Sequence, residues 1–229
     1  MDVLVNKALE FGFKRLSSVL KSPIVFHSVP GAGKTTLIRA LLNSDSRFEG
    51  WTLAEGDKPN LEGVVIRKYV GGEVGPFALL DEYCVEPEIA GKLYAVFGDP
   101  LQVNNIGFLR ASWIKVETHR FGKATAQLLN QFGFEVSSSK ADILVIADIF
   151  VGEPEGTVVY FEEEVGCLLK RHSLEAVHID LVRGDSFPVV TFVTSENCMI
   201  LDKVRSFNCL TRHSEKLIIL CPNATYSPT

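Results

Sequence analysis

An apolar run that breaks into a glycine loop and restarts as a helix is the feature that most narrows what this chain can fold into. Pro23-Ile24-Val25-Phe26-His27-Ser28 reads as a buried strand, Val29-Pro30-Gly31-Ala32-Gly33-Lys34-Thr35 as a loop, and Thr35 to Leu42 as a helix. Parallel strands covered on both faces appear as continuous apolar runs of this kind, and their ligands bind beyond the carboxyl ends of the strands. The loop stands at such an end. Its glycines let backbone N–H groups converge on phosphate oxygens, the positive end of the following helix points at them, and Lys34 reaches the β- and γ-phosphates. Thr35 supplies a hydroxyl for Mg2+. Pro30, Gly31, Ala32, Gly33, Lys34, Thr35 and Thr36 are therefore the expected nucleotide-binding residues. Ser28 departs from the pattern G-x-x-x-x-G-K-[ST], which has glycine there, so the first turn of the loop is expected to form against a Cβ.

A phosphate loop alone leaves the metal half coordinated and the attacking water unoriented. Asp81 and Glu82 meet both needs, because they follow the apolar run Phe77-Ala78-Leu79-Leu80: Asp81 to hold Mg2+, Glu82 to orient the water. A third run, Ala95-Val96-Phe97, ends in Gly98-Asp99-Pro100-Leu101-Gln102, which brings Gln102 to the same sheet edge as a sensor of the γ-phosphate. Read in isolation, that segment is a plain turn, and Asp81-Glu82 is an acidic strand end facing solvent.

Around these motifs the chain alternates strands with short helices. Leu4, Ala8 and Phe11 mark an amphipathic start, and Val64-Val65-Ile66 reads as a further strand. A second round follows, with a helix from Phe121 to Phe132 and strands at Ile143–Ile146, Val158–Phe161, Val189–Val193 and Leu217–Leu220. The expectation is a mostly parallel α/β fold in two small lobes, residues 1–115 and 116–229. No linker rich in proline, glycine or serine marks the joint, and one continuous sheet is the alternative.

Composition excludes several classes. With 46% hydrophobic and 22% charged residues in 229, the chain has an ordinary globular balance. No apolar run reaches the roughly 18 residues of a membrane span, and the start Met1-Asp2 lacks the positive region of a secretory signal, which points to the cytosol. The five cysteines, Cys84, Cys167, Cys198, Cys209 and Cys221, are odd in number and widely spaced, and read as buried, reduced thiols. A net charge of −5 means that nucleic acid, if bound, is held in a local groove.

In order and spacing, the motifs resemble those of viral superfamily 1 RNA helicases. Ser28–Thr35, Leu80-Asp81-Glu82-Tyr83, Gly98-Asp99-Pro100-Leu101-Gln102 and Thr118-His119-Arg120-Phe121 look like motifs I to IV. Val182-Arg183-Gly184-Asp185-Ser186-Phe187-Pro188-Val189-Val190-Thr191 resembles motif V, and Asn208-Cys209-Leu210-Thr211-Arg212-His213 resembles motif VI. The small size, the start Met1-Asp2-Val3-Leu4 and the late motif VI resemble the triple-gene-block movement proteins of potexviruses and carlaviruses. That resemblance implies a P-loop NTPase of two RecA-like parallel-sheet lobes, a helicase core without large insertions. It implies ATP hydrolysis with Mg2+, binding and unwinding of single-stranded RNA, and passage of the viral genome through plasmodesmata. It further implies suppression of host RNA silencing, self-association, contact with coat protein and with the silencing machinery, and residence in the host cytoplasm.

In the transition state of triphosphate hydrolysis, negative charge spreads over the transferred phosphoryl oxygens, and an arginine aimed at it is worth about 10³–10⁵ in rate. Arg120 and Arg212 are the candidates, joining Lys34, Glu82 and Gln102 as expected catalytic residues, provided the lobes stack as the resemblance implies. Without the motif context the lesser reading of both, weaker for Arg212 than for Arg120, is an exposed surface arginine. For RNA the hints are Thr52, Lys58, Tyr83, Arg110, Gly184 and Thr191, of which Lys58 and Arg110 are equally solvated loop residues.

Overall fold

The computed structural model of the protein describes residues 2–58, 64–104, 107–182 and 184–228. Met1 and Arg183, which belong to segments quoted above, lie outside the described residues. The chain divides into two compact units, Met1–Val116 and Glu117–Thr229, each with its own sheet.

The first unit runs α1 (Asp2–Glu10), β1 (Lys14–Arg15), β2 (Ile24–Ser28), α2 (Lys34–Ser44), β3 (Glu49–Thr52), β4 (Ile66–Lys68), β5 (Ala78–Asp81), β6 (Ala95–Gly98) and β7 (Trp113–Lys115). Its sheet order is β1-β7-β2-β6-β5-β3-β4, parallel throughout except where β1 pairs antiparallel with β7. Strand alternation sorts the apolar runs onto two faces. Ile24, Phe26, Leu79, Ala95 and Phe97 join Leu4 and Ala8 of α1 and Leu37, Ile38 and Leu41 of α2 in one core. At its centre Phe26 stacks on Phe97 with ring centroids 4.5 Å apart and on Trp113 at 5.8 Å. Val25, Ala78, Leu80 and Val96 face the other way, onto Tyr83, Cys84, Ala90 and Leu93. The helix of the glycine loop is thus held by its Leu37/Ile38/Leu41 stripe, which fixes where its first turn points.

The second unit runs α3 (Lys123–Gln131), β8 (Ile143–Asp148), β9 (Thr157–Tyr160), α4 (Glu163–Arg171), β10 (Val177–His178), β11 (Phe187–Val193), α5 (Lys203–Leu210) and β12 (His213–Cys221). Its sheet is wholly parallel, in the order β10-β9-β11-β12-β8. Val165 and Leu169 of α4 pack on Val158, Val193, Ile218 and Leu220. The parallel α/β class expected from the apolar runs is the class observed.

Several elements differ from the expected ones. The strand expected at Val64–Ile66 begins only at Ile66 and continues through Arg67 and Lys68, since its partner β3 pairs Gly50, Trp51 and Thr52 with those three. No apolar run announced β3, β7, α4 or α5. Of the five cysteines, Cys84, Cys198, Cys209 and Cys221 are buried free thiols, whereas Cys167 is exposed on α4, two residues from the buried Val165 and Leu169 and therefore on another side of the helix.

Candidate active site

Three neighbouring strands, β2, β6 and β5, deliver their carboxyl ends side by side. Beyond β2 lies the glycine loop. Its turns are made at Gly31 (φ 71°) and Gly33 (φ 91°), in the left-handed region that a Cβ disfavours. Ser28 is still part of β2 and is not among the positive-φ residues, so its backbone does not itself call for glycine, and the loop begins with a Cβ present as expected. The Ser28 hydroxyl is buried without a hydrogen-bond partner among the described residues. A Cβ built on Gly33 would meet nothing within 4 Å. Backbone geometry rather than crowding therefore requires that glycine, and the space beside it is open. Pro30 and Ala32 are buried and Thr36 is exposed in the first turn of α2.

Lys34 opens α2 and is only 7% exposed. Its ammonium lies among carboxylates: burial raises the pKa of both Asp81 and Asp99, and the Lys34 charge pulls against that rise. It also acts on His27, whose pKa falls to about 4, first through burial and then through the Lys34 charge. A buried ammonium at the mouth of a glycine loop is a ready partner for phosphate oxygens. With the orphaned Ser28 hydroxyl and the open face at Gly33, these residues fit a bound triphosphate.

Thr35 Oγ1 donates to Asp81 Oδ2 at 2.6 Å, joining the glycine loop to the end of β5. Burial pushes the Asp81 carboxyl up, and the adjacent Glu82 carboxylate adds to this, against the pull of Lys34, the Thr35 hydroxyl and the Glu82 N–H. A divalent cation held by Thr35 and Asp81 would reverse that balance in favour of the ionised form. Glu82 has φ 58°, ψ 30°, a left-handed conformation costly for a residue with a side chain, and it starts the 3-10 turn Tyr83–Val85. Its N–H donates to Asp81 Oδ1 at 3.0 Å, and its carboxylate is near enough to act on the Asp81 carboxyl.

Beyond β6, Asp99 is buried and accepts from Leu101 N at 3.0 Å and from Gln102 Nε2 at 2.7 Å. Burial raises its pKa. Gln102, expected to read the γ-phosphate, is itself buried, and its amide nitrogen is engaged by Asp99. Gly98 brings β6 against the turn after Glu82, since a Cβ there would meet Cys84 Sγ at 2.5 Å and Tyr83 Cδ1 at 2.9 Å.

In the second unit the segments bearing Arg120, Gly184 and Arg212 converge where β11 and β12 begin. Arg120 donates through Nη1 to Thr211 O at 3.4 Å and through Nη2 to Gly184 O at 3.5 Å. Arg212 is fully buried and donates through Nε to Asn208 O at 3.1 Å, through Nη2 to Asn208 Oδ1 at 3.2 Å, and through Nη1 to Asp185 O at 3.4 Å. Surface exposure, the bland alternative for Arg212, does not describe it. Arg120 is half-buried.

Half of the RNA candidates fail on burial. Tyr83 is enclosed, its hydroxyl 2.6 Å from His27 Nε2, so its ring is not offered to a base. Thr52 is buried and accepts from Ala54 N, and Thr191 is buried with its hydroxyl bonded to the Glu155 backbone. Their identity in a motif pattern says nothing about which face of a strand they occupy. Lys58, Arg110 and Gly184 are exposed. Among the described residues no group of histidine, cysteine and acidic side chains forms a metal cluster, and no helix is long and apolar enough to cross a membrane.

Fold and site together define a helicase-type P-loop NTPase core, and comparison with known proteins agrees: the model of the viral superfamily 1 RNA helicase core domain matches residues 24–221. The chain belongs to that family and, within it, to the group of movement and silencing proteins TGBp1. It is 49% identical to the movement and silencing protein TGBp1 of Lily symptomless virus, covering 99% of both chains. It is 45% identical to that of Chrysanthemum virus B over the whole of both, and 34% identical to that of Papaya mosaic potexvirus over 97% of this chain and 96% of the relative. Among solved structures, the arterivirus nonstructural protein 10 helicase in complex with DNA superposes with a TM-score of 0.65 at 18% identity, over 94% of this chain and 62% of that one. That likeness is one of fold.

Proposed function

We propose that the protein is an NTP-driven RNA-binding movement factor that carries a viral genome from cell to cell through plasmodesmata and suppresses host RNA silencing. The movement and silencing roles rest on membership in the TGBp1 group. The motor role rests above all on one contact, the 2.6 Å bond from the loop threonine Thr35 to Asp81, which joins two motifs far apart in sequence at the mouth of a glycine loop.

In this reading Lys34 and the N–H groups of residues 31–36 bind the phosphates of ATP, with Pro30 shaping the loop, while Thr35 and Asp81 hold Mg2+. The metal, when bound, neutralises charge developing on the β- and γ-phosphates. Glu82, at the left-handed turn that ends β5, orients the attacking water, and Gln102 links that step to the end of β6. Arg120 and Arg212 supply positive charge to the transferred phosphoryl group. Single-stranded RNA is the polynucleotide partner, with Lys58, Arg110 and Gly184 as remaining contact candidates. Self-association and contacts with coat protein and host silencing factors complete the set of partners, in the host cytoplasm.

Phosphate release from ATP by the purified protein, with and without single-stranded RNA, tests this reading. Turnover stimulated by RNA is expected. Turnover that ignores RNA would leave an NTPase that is not an RNA motor, and no turnover under either condition would leave a binding protein.

A further inference from the structure

Asp142 lies in no motif and His213 only closes the motif VI-like segment after Arg212, yet their side chains are both completely buried, with His213 Nε2 3.1 Å from Asp142 Oδ2. Asp142 immediately precedes β8, and His213 opens β12 directly after Arg212. The same carboxylate accepts Ala124 N at 2.8 Å and Thr125 N at 3.3 Å, so it caps α3 from outside that helix's own sequence. Thr125 Oγ1 lies 3.1 Å from His213 Nε2 and closes the cluster.

Both arginines hang from this knot. Gly122, two residues after Arg120, sits so close that a Cβ would come within 2.5 Å of Asp142 N, Asp142 Oδ1 and Ala141 C. Lys140 Nζ adds a bond to the Arg120 carbonyl at 3.2 Å and another to that of Ser214. On the other side Arg212 is the peptide neighbour of His213, and its carbonyl accepts Phe187 N at 2.8 Å. Apolar side chains of similar volume would fill the same space without the cost of burying a carboxylate, so stability alone does not account for the cluster. What the bonds among Asp142, His213 Nε2, Thr125 and the first turn of α3 add is a single geometry, with His213 Nδ1 buried and without a hydrogen-bond partner among the described residues.

We propose that Asp142 and His213 are positioning residues that hold Arg120 and Arg212 in the arrangement needed for hydrolysis. This rests on the transition-state role given above to the arginines. Asp142 acts on both, through the Gly122 contact and the α3 cap on one side and through the His213 ring on the other.

A double-mutant cycle on the full chain tests it, with Asp142→Asn, Arg212→Ala and the pair followed by single-turnover and steady-state ATP hydrolysis and by urea unfolding. Asp142→Asn is expected to lower kcat by about tenfold or more while KM for ATP stays within about twofold. In the Arg212→Ala background the same change is expected to cost clearly less than in the wild type, because one of the two groups through which it acts is gone and only the Arg120 route remains. His213→Gln, which keeps a nitrogen donor toward Asp142, is expected to retain most of the activity that His213→Ala loses. Equal losses in both backgrounds, or a folded Asp142→Asn protein with wild-type kcat, would overturn the proposal. Should Asp142→Asn fail to unfold cooperatively, the His213 pair decides: equal activity of His213→Gln and His213→Ala overturns it. Wild-type turnover in Arg212→Ala would instead overturn the role of that arginine, and with it this inference, whatever Asp142→Asn does.

Discussion

At the scale of residues, the site depends on a few side chains whose environments set their chemistry. Glu82 is the sharpest case. Its left-handed backbone is the kind of local strain that persists where the surroundings over-determine it, and here it aims a carboxylate beside Asp81. Glu82→Gln is expected to keep nucleotide affinity and to lower hydrolysis by about 10²-fold or more, which rapid-quench assays beside an ATP-binding titration would read. Silencing suppression by the same variant shows whether that role needs turnover. His27 sets a pH dependence. Its folded pKa, about 4, lies below the unfolded value of about 6.5, so the unfolded chain takes up a proton that the folded chain refuses. The stability this contributes is complete above about pH 6.5 and is lost as pH falls toward 4. In urea melts, His27→Gln is expected to flatten the decline across that window, and an unchanged slope would contradict the assignment. The loop residues Gly31, Gly33, Lys34 and Thr35 were legible in sequence because their chemistry is local and their spacing short. The left-handed Glu82 and the Asp142–His213 pair, 71 positions apart, were not, since each exists only once distant strands have met.

At the scale of elements, the chain shows which signals survive translation into structure. The runs that became β2, β5, β6, β9, β11 and β12 were legible because strands largely covered on both faces are apolar nearly throughout, and β8 was legible because its run Ile143–Ile146 is apolar even though Ile143 and Val145 are exposed at the sheet edge. Strand β3, Glu49–Thr52, was not, because Gly50 and Trp51 belong to the sheet through their neighbours rather than through any local preference. Helix α4 carried a readable signal that apolar runs do not capture: Glu163 and Glu164 in its first turn, Lys170 and Arg171 in its last, and Val165 and Leu169 four apart. Asp202, which accepts from Arg205 N at 2.9 Å, likewise announces α5 as its N-cap. The contact of β6 with the turn after Glu82 is the element-level joint on which the site's shape depends. Gly98→Ala would drive a methyl group into Cys84 Sγ, at 2.5 Å, and the Tyr83 ring. It is expected to lower stability by about 1–3 kcal/mol in denaturant titrations, and a loss below about 0.5 kcal/mol would show that the joint yields.

At the scale of the whole molecule, two largely parallel sheets, one in each compact unit, carry the two sets of groups proposed to function: the glycine loop with Asp81, Glu82 and Gln102, and the knitted segments around Arg120 and Arg212. The net charge of −5 places any RNA contact on local features rather than on the general field of the molecule. Family membership joins this architecture to viral movement and silencing proteins, and the proposal that the nucleotide site serves those roles as a motor rests on the pairing of Thr35 with Asp81. Turnover of ATP by Lys34→Ala against wild type tests that claim most directly. Loss of hydrolysis to background, with an unchanged far-ultraviolet spectrum and unfolding midpoint, is the expected result, and wild-type turnover by the variant would contradict it.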